Sequence, residues 1–175
     1  MKIYLTKFKD LKIIKSKNFK DKRGFLREIF LEKQIKKKFK FFLISSSKKN
    51  VFRGLHFQLK KPQGKVVSVI KGKIYDVVVD LRKKSKTFGK SYSVILSSEN
   101  CNSLYIPPGF AHGFIGLDEE NIVTYALTQY RSESSENSLD WLDKDLKIKW
   151  PTKSVILSKK DNKAITFDEV KKKIK

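Results

Sequence analysis

The stretch "KVVSVIKGKIYDVVVDL", residues 65–81, constrains the fold more than any other part of the chain. It holds two runs rich in β-branched residues, each of strand length, broken at Gly72. A glycine between two such runs predicts a hairpin. The chain goes on in the same manner. "KSYSVILSS" alternates in part, "NSLYIPPGF" ends in a proline–glycine turn, and "NIVTYALTQY" reads as another strand. Many short strands separated by Gly/Pro turns predict an all-β sandwich or barrel in preference to an α/β fold. One short helix is expected over residues 30–40, "FLEKQIKKKFK", where Leu31, Ile35 and Phe39 recur at helical spacing with lysines on the other faces.

Nothing marks a second domain. The 175 residues show no internal repeat, no low-complexity linker and no shift of composition, and a chain of this length can bury a substantial core by itself. A single domain over residues 1–175 is expected. The apolar runs are far too short to span a bilayer, and "MKIYLTKFKDLKII" lacks the continuous apolar core of a secretory signal. Cys101 is the lone cysteine, so no intrachain disulfide can form. These features fit a cytoplasmic protein that does not engage a membrane.

The net charge of +22 invites a nucleic-acid reading. The basic residues, however, are nearly all lysines spread over the whole length. Arginine, the better reader of phosphates and bases, occurs only at Arg23, Arg27, Arg53, Arg82 and Arg131. No recognition helix, zinc-finger spacing or RNA-binding signature accompanies them, so nucleic acid is not the expected partner. The charge instead draws small anions, sugar nucleotides among them, toward the surface.

The candidates for chemistry begin with the two histidines, His56 in "VFRGLHFQ" and His112 in "IPPGFAHGF". Pro107, Gly109 and His112 form P-x-G-x-x-H, which resembles the second motif of cupins, small jelly-roll proteins. In metal-binding cupins the first motif supplies a close histidine pair and a carboxylate. The corresponding strand here carries His56 alone. Metal sites ordinarily need three or four protein ligands, so no metal is expected.

Read together, the motifs become far more specific. "RGFLREIF", "NVFRGLHFQ", the long run from "PQGK" to "KTFGK", "LYIPPGFAHGF", "LDWLDKDLKIKWP" and "LSKKD" resemble, in order, those of the dTDP-4-dehydrorhamnose 3,5-epimerase family, the RmlC type. The resemblance runs from about Phe19 to Asp161. It implies a cupin-like double-stranded β-helix, or jelly roll, with short peripheral helices. It also implies a homodimer, no cofactor, and inversion of the carbons flanking the ketone of a nucleotide-linked 4-keto-6-deoxy sugar.

The residues suit that chemistry. A hydrogen beside a ketone is weakly acidic; removing it needs a base on one face, stabilisation of the enolate oxygen, and an acid on the other face. Imidazole, with a pKa of about 6.5, is a suitable base at neutral pH, and His56 fills that place. The resemblance pairs it with Asp161 of "LSKKD", which would fix the tautomer and stabilise the imidazolium. Lys65 of "PQGK" matches the lysine near O4, where a cation would hold the enolate. Tyr125 of "VTYALTQY" matches the acid; a phenol, with a pKa of about 10, carries its proton at neutral pH. Arg53, Arg23 and Glu28 match positions near the nucleotide and its diphosphate, where the arginine fork suits phosphate oxygens. His112 reads first as structural, although its turn can point it at the same cavity for substrate contact.

Each side chain also has a plainer reading: a core histidine, a core tyrosine, one lysine among many, a turn aspartate. The sequence departs from the family's pattern at two places. The strand before "NVFRG", commonly bearing glutamine and asparagine, is "FFLISSSKK", and the aromatic pair after the acid becomes Tyr130 followed by Arg131. Arginine can stack on a base as an aromatic does, but it changes which base is favoured. Three alternatives remain beside a dTDP-sugar 3,5-epimerase: an enzyme inverting one carbon or acting on another deoxy sugar, a metal-dependent cupin using both histidines, and a non-catalytic jelly roll that binds a sugar nucleotide or a polyanion.

Overall fold

The computed structural model describes residues 1–174. Its strands are β1 (Lys2–Leu5), β2 (Lys12–Lys15), β3 (Phe19–Asp21), β4 (Gly24–Leu26), β5 (Phe41–Lys48), β6 (Phe52–Gln58), β7 (Lys65–Lys71), β8 (Lys73–Asp80), β9 (Ser91–Ser97), β10 (Asn102–Ile106), β11 (Phe110–Gly116), β12 (Glu120–Leu127) and β13 (Glu136–Ser138). Two helices, α1 (Glu32–Ile35) and α2 (Phe167–Lys173), are peripheral. A six-stranded sheet has the order β1-β2-β10-β7-β12-β5, and a five-stranded sheet the order β13-β6-β11-β8-β9. Every paired strand in both sheets is antiparallel. From β5 onward the chain passes repeatedly between the two sheets, as a cupin-like jelly roll does.

That alternation corrects one expectation. β7 and β8 are strands, but they do not form a hairpin: β7 pairs with β10 and β12, β8 with β9 and β11. Gly72 is the crossing between sheets. Its φ is +80°, and a Cβ there would sit 2.2 Å from the Glu120 carbonyl oxygen, so a glycine is required by both conformation and space.

The helix over residues 30–40 is also shorter than its spacing suggests. Only Glu32–Ile35 is helical, and Lys36 ends it in the left-handed region at φ 57°. Ile35 and Phe39 still meet one apolar cluster, against Ile14, Val66, Tyr105 and Ala126. Phe39 arrives there on a non-helical segment, its ring 4.8 Å from that of Phe30. Burial of the apolar side chains, not helix propensity, shapes this piece.

The space between the sheets is filled over part of its length by Val67, Val69, Leu104 and Val123 from one sheet and Ile74, Val78, Leu96 and Phe114 from the other. The outer face of the five-stranded sheet is closed by the C-terminal third: Trp141, Leu146, Phe167 and Val170 pack on Phe52, Leu55, Val77 and Ile115. Thr166 caps α2 with a capping box shared with Glu169, which seats Phe167 and Val170 on that face. This cover also brings residues 158–161 under β6. The remaining space between the sheets forms an open-ended cavity.

Candidate active site

The cavity has a volume of about 360 Å³. His56, Lys65, Tyr125, Arg53, His112 and Arg131 all line it. His56 and His112 lie directly opposite one another in the β6–β11 register, so both rings stand on the same face. Just beyond them the register shifts. There Gly54 and Gly113 let the two backbones close up: a Cβ on Gly54 would lie 2.5 Å from the Gly113 Cα. Tyr125 and Lys65 come from the other sheet, on β12 and at the start of β7. The cavity is therefore walled by histidines on one side and by a phenol and an ammonium on the other.

His56 Nε2 is 2.6 Å from Asp161 Oδ1. Asp161 opens a 3-10 turn over Asp161–Lys163 and is almost completely buried. Its other oxygen accepts a 2.8 Å hydrogen bond from Ser158 Oγ. Burial by itself would raise the Asp161 pKa; hydrogen bonds from His56 and Ser158 and the charges of His56 and Lys160 outweigh it and hold the carboxyl below its ordinary value. An ionised carboxylate only accepts, so His56 Nε2 carries a hydrogen toward Asp161, and Nδ1 is the ring nitrogen that the carboxylate does not engage.

His112 makes a second pair of the same kind. Its Nε2 is 2.8 Å from Asp76 Oδ2 on β8. This pair is sealed, whereas the His56 side chain is 30% exposed to the cavity. Each histidine thus gives one nitrogen to a carboxylate. No group of three or more His, Cys, Asp or Glu side chains that could hold a metal ion stands among the described residues.

Lys65 is withdrawn from water, and that burial lowers its pKa to about 8 against the pull of the negative Glu136 and Asp76. Burial likewise raises the Tyr125 phenol well above its usual value, with the hydrogen bond to Ser45 as the largest opposing influence. Tyr125 keeps its proton throughout the neutral range. Arg53 donates from Nε to Ser47 Oγ at 2.8 Å and from Nη2 to the Ser46 carbonyl at 3.0 Å, which fixes its guanidinium at the cavity wall. Arg131 is held in an ion pair. Glu136 Oε2 holds its Nε at 3.0 Å and also takes Lys160 Nζ at 2.7 Å. Tyr130 beside it is ring-stacked on Phe41 with centroids 5.8 Å apart.

Two of the sequence-derived residues stand elsewhere in this chain. Arg23, on the β3–β4 turn, pairs with Asp21 at 2.6 Å and is 83% exposed. Glu28 follows β4, and its carbonyl accepts from Ser16 Oγ. Neither lines the cavity of its own chain. Conversely, sequence reasoning passed over Asp76, Glu136, Lys160 and Ser45. Lys160 immediately precedes Asp161 in "LSKKD" and could have been noted; Glu136, in a polar serine-rich segment, carries no local signal.

A jelly roll with a histidine–aspartate pair facing a phenol and a lysine across an open-ended cavity defines a class: enzymes that move protons at carbon. Comparison with known proteins narrows it. The profile of the dTDP-4-dehydrorhamnose 3,5-epimerase family matches residues 5–169. The chain belongs to that family of isomerases. It is 44% identical to the dTDP-4-dehydrorhamnose 3,5-epimerase of Salmonella typhimurium over 97% of each chain. Its structure matches the Legionella pneumophila epimerase RmlC, solved with dTDP-4-keto-L-rhamnose, with a TM-score of 0.94 and 40% identity over 99% of this chain and 96% of that one. A 3'-monoepimerase from Streptomyces bikiniensis aligns with a TM-score of 0.88 at 25% identity, over 95% and 88% of the two chains.

Proposed function

We propose that this chain epimerises dTDP-4-dehydro-6-deoxy-D-glucose at C3 and C5, a step toward dTDP-L-rhamnose, without a cofactor. The observation that carries the reading is the joint placement of His56, Lys65 and Tyr125 around one cavity, with Asp161 on the far side of His56. His56 Nδ1 takes the proton from the carbon beside the ketone. The C–H electron pair becomes the enolate double bond, and the ketone oxygen becomes an oxyanion that the Lys65 ammonium stabilises. Asp161 accepts the Nε2–H and steadies the imidazolium. Tyr125, on the opposing sheet, gives its proton to the other face of the carbon; the ketone reforms, the phenolate is reprotonated from water, and the His56 imidazolium returns its proton to water. Repeating the cycle at the second carbon completes the double inversion. Arg53, with Lys160 and Arg131 at the rim, supplies positive charge for the diphosphate, and His112 braces the wall beside His56.

The protein works as a single-domain homodimer in the cytoplasm. β5 is the edge of its sheet, and its outward residues Phe42 and Ile44 are 67% and 65% exposed. Phe19, Phe25 and Leu26 of the β3–β4 ribbon are exposed as well. An unpaired edge with an apolar flank calls for a partner. A second copy seated there is the arrangement that would give Arg23 and Glu28 a cavity to serve, the partner's. Light scattering should return twice the chain mass of 20.4 kDa, and Ile44→Asp should return the single mass. No described helix is long and apolar enough to cross a membrane.

The deciding experiment is proton NMR of the dTDP-4-keto sugar with the protein in D₂O, followed by a coupled 4-keto reductase. Loss of both H3 and H5 signals with formation of the L-rhamnose nucleotide is the expected result. Loss of H3 alone would make this chain a monoepimerase. No exchange at either carbon would overturn the reading for this substrate.

A further inference from the structure

The triple serine of "FFLISSSKK" stands where the family commonly carries other polar residues, and the mechanism above leaves its first member unused. The three serines divide their contacts. The Ser46 carbonyl and the Ser47 hydroxyl hold Arg53. Ser45 lies on the same face of β5 as Ser47 and lines the cavity, two residues from Leu43, which lies directly opposite Tyr125 in the β5–β12 register. Its Oγ is 3.3 Å from Tyr125 Oη and is the only hydrogen-bond partner of that oxygen among the described residues. The other β5 side chains facing the cavity, Phe41 and Leu43, are apolar.

We propose that Ser45 is the positioning residue for the acid: its hydroxyl donates to the Tyr125 oxygen, turns the phenolic O–H toward the sugar, and holds the phenolate once the proton has gone to carbon. The direction of the bond follows from the reaction. Tyr125 must spend its own hydrogen on substrate, so toward Ser45 its oxygen accepts. Burial makes this phenol a reluctant acid, and the serine hydrogen bond is the strongest influence acting against that. When the Tyr125 O–H bond breaks, the enolate pair forms the new C–H bond, and the charge left on the phenolate oxygen keeps one fixed donor until water restores the proton.

The proposal rests on the epimerase reading, and it predicts a split that a packing role would not produce. Deprotonation belongs to His56 and inversion to Tyr125. His56 is partly open to solvent, so its imidazolium can exchange its proton and return deuterium to the original face. In Ser45→Ala, exchange of substrate protons in D₂O should stay within about threefold of wild type while inversion falls about tenfold, the worth of a hydrogen bond to a charged group. Ser45→Thr should restore inversion, and Ser45→Ala should cost nothing further in a Tyr125→Phe background. In ¹³C-tyrosine-labelled protein without substrate, the Tyr125 Cζ resonance should move in Ser45→Ala and not in Ser45→Thr. Exchange and inversion falling together, or neither changing, would overturn the role of Ser45 alone. A wild type that exchanges neither proton would overturn the epimerase reading, and an unmoved Cζ resonance would then dispose of the Ser45 contact independently.

Discussion

The protein contains two histidine–aspartate pairs side by side, and they differ almost only in their surroundings. His56–Asp161 and His112–Asp76 have Nε2–O distances of 2.6 and 2.8 Å, and the two histidines face each other across one strand pairing. His112 and Asp76 are both carried by strands of one sheet and sealed in the core, at 4% and 0% exposure. His56 takes its aspartate from a surface turn and keeps its free nitrogen on the cavity side. A buried ion-capable pair is a structural commitment, because each partner is costly without the other. The same pair at a cavity wall is a tool, because one ring nitrogen can trade protons with whatever enters.

Four outcomes would sharpen or break that contrast. The largest concerns His56→Ala, which should reduce both exchange and inversion by about 10²–10⁴-fold, the usual worth of a general base, while the protein stays folded. Activity within a few-fold of wild type would end the assignment of His56 as the base. Next, Asp161→Asn should lower kcat by about 10²-fold with little change in KM, because an amide can hold the wrong tautomer of the ring.

The third outcome reverses the order of the two pairs. His112→Ala leaves the Asp76 carboxylate buried without its donor, and should cost about 3 kcal/mol or more of stability by denaturant unfolding. His56→Ala should cost about 1 kcal/mol, since Asp161 retains its Ser158 hydroxyl. Equal losses in the two variants would mean that enclosure does not separate them.

The last outcome is a pH dependence that belongs to the opposite wall. Lys65 has to be a cation to hold the enolate, so kcat/KM should fall along a basic limb with its midpoint at about 8, and Lys65→Arg should not show that limb. The linked stability has a definite sign. The folded pKa lies below the ordinary value of 10.5, at about 8, so between those values the unfolded chain binds more protons and stability rises with pH. Below pH 8 the net cost of holding the ammonium in the cavity wall is present in full. Lys65→Met should remove that slope, and a wild-type profile matching Lys65→Met would show that the ammonium is not buried at cost.

Strand identity was legible in the sequence wherever β-branched runs lay between turn residues, as in β7, β8, β9 and β12. Strand partnership was not. The Val-rich runs flanking Gly72 look like a hairpin because local periodicity reports which residues face in, and a strand crossing to the other sheet alternates just as a hairpin strand does. The helix around Ile35 misled for a related reason: apolar spacing of four fits a helix, but here the core is reached by one turn followed by extended chain. At the site, the motifs around His56, Lys65 and Tyr125 stand out when read against the family. The separation of 105 positions between His56 and Asp161 carries no local signal that the two meet, and nothing in "TQYRSESS" announces that Glu136 would pair with Arg131.

The sequence by itself determined that this is a β protein with two scarce histidines in apolar strands, and which family its ordered motifs belong to. The first is a property of composition and spacing, which act within a few residues; the second comes from the likeness of its ordered motifs to those of a known family. Only the tertiary structure decided which histidine is sealed and which is open, that a C-terminal turn delivers Asp161 to β6, and that Arg23 and Glu28 lie outside their own cavity. Each of these depends on how two sheets close on one another, because burial and hydrogen-bond partnership are set by whatever segment happens to cover a side chain, however distant it is along the chain.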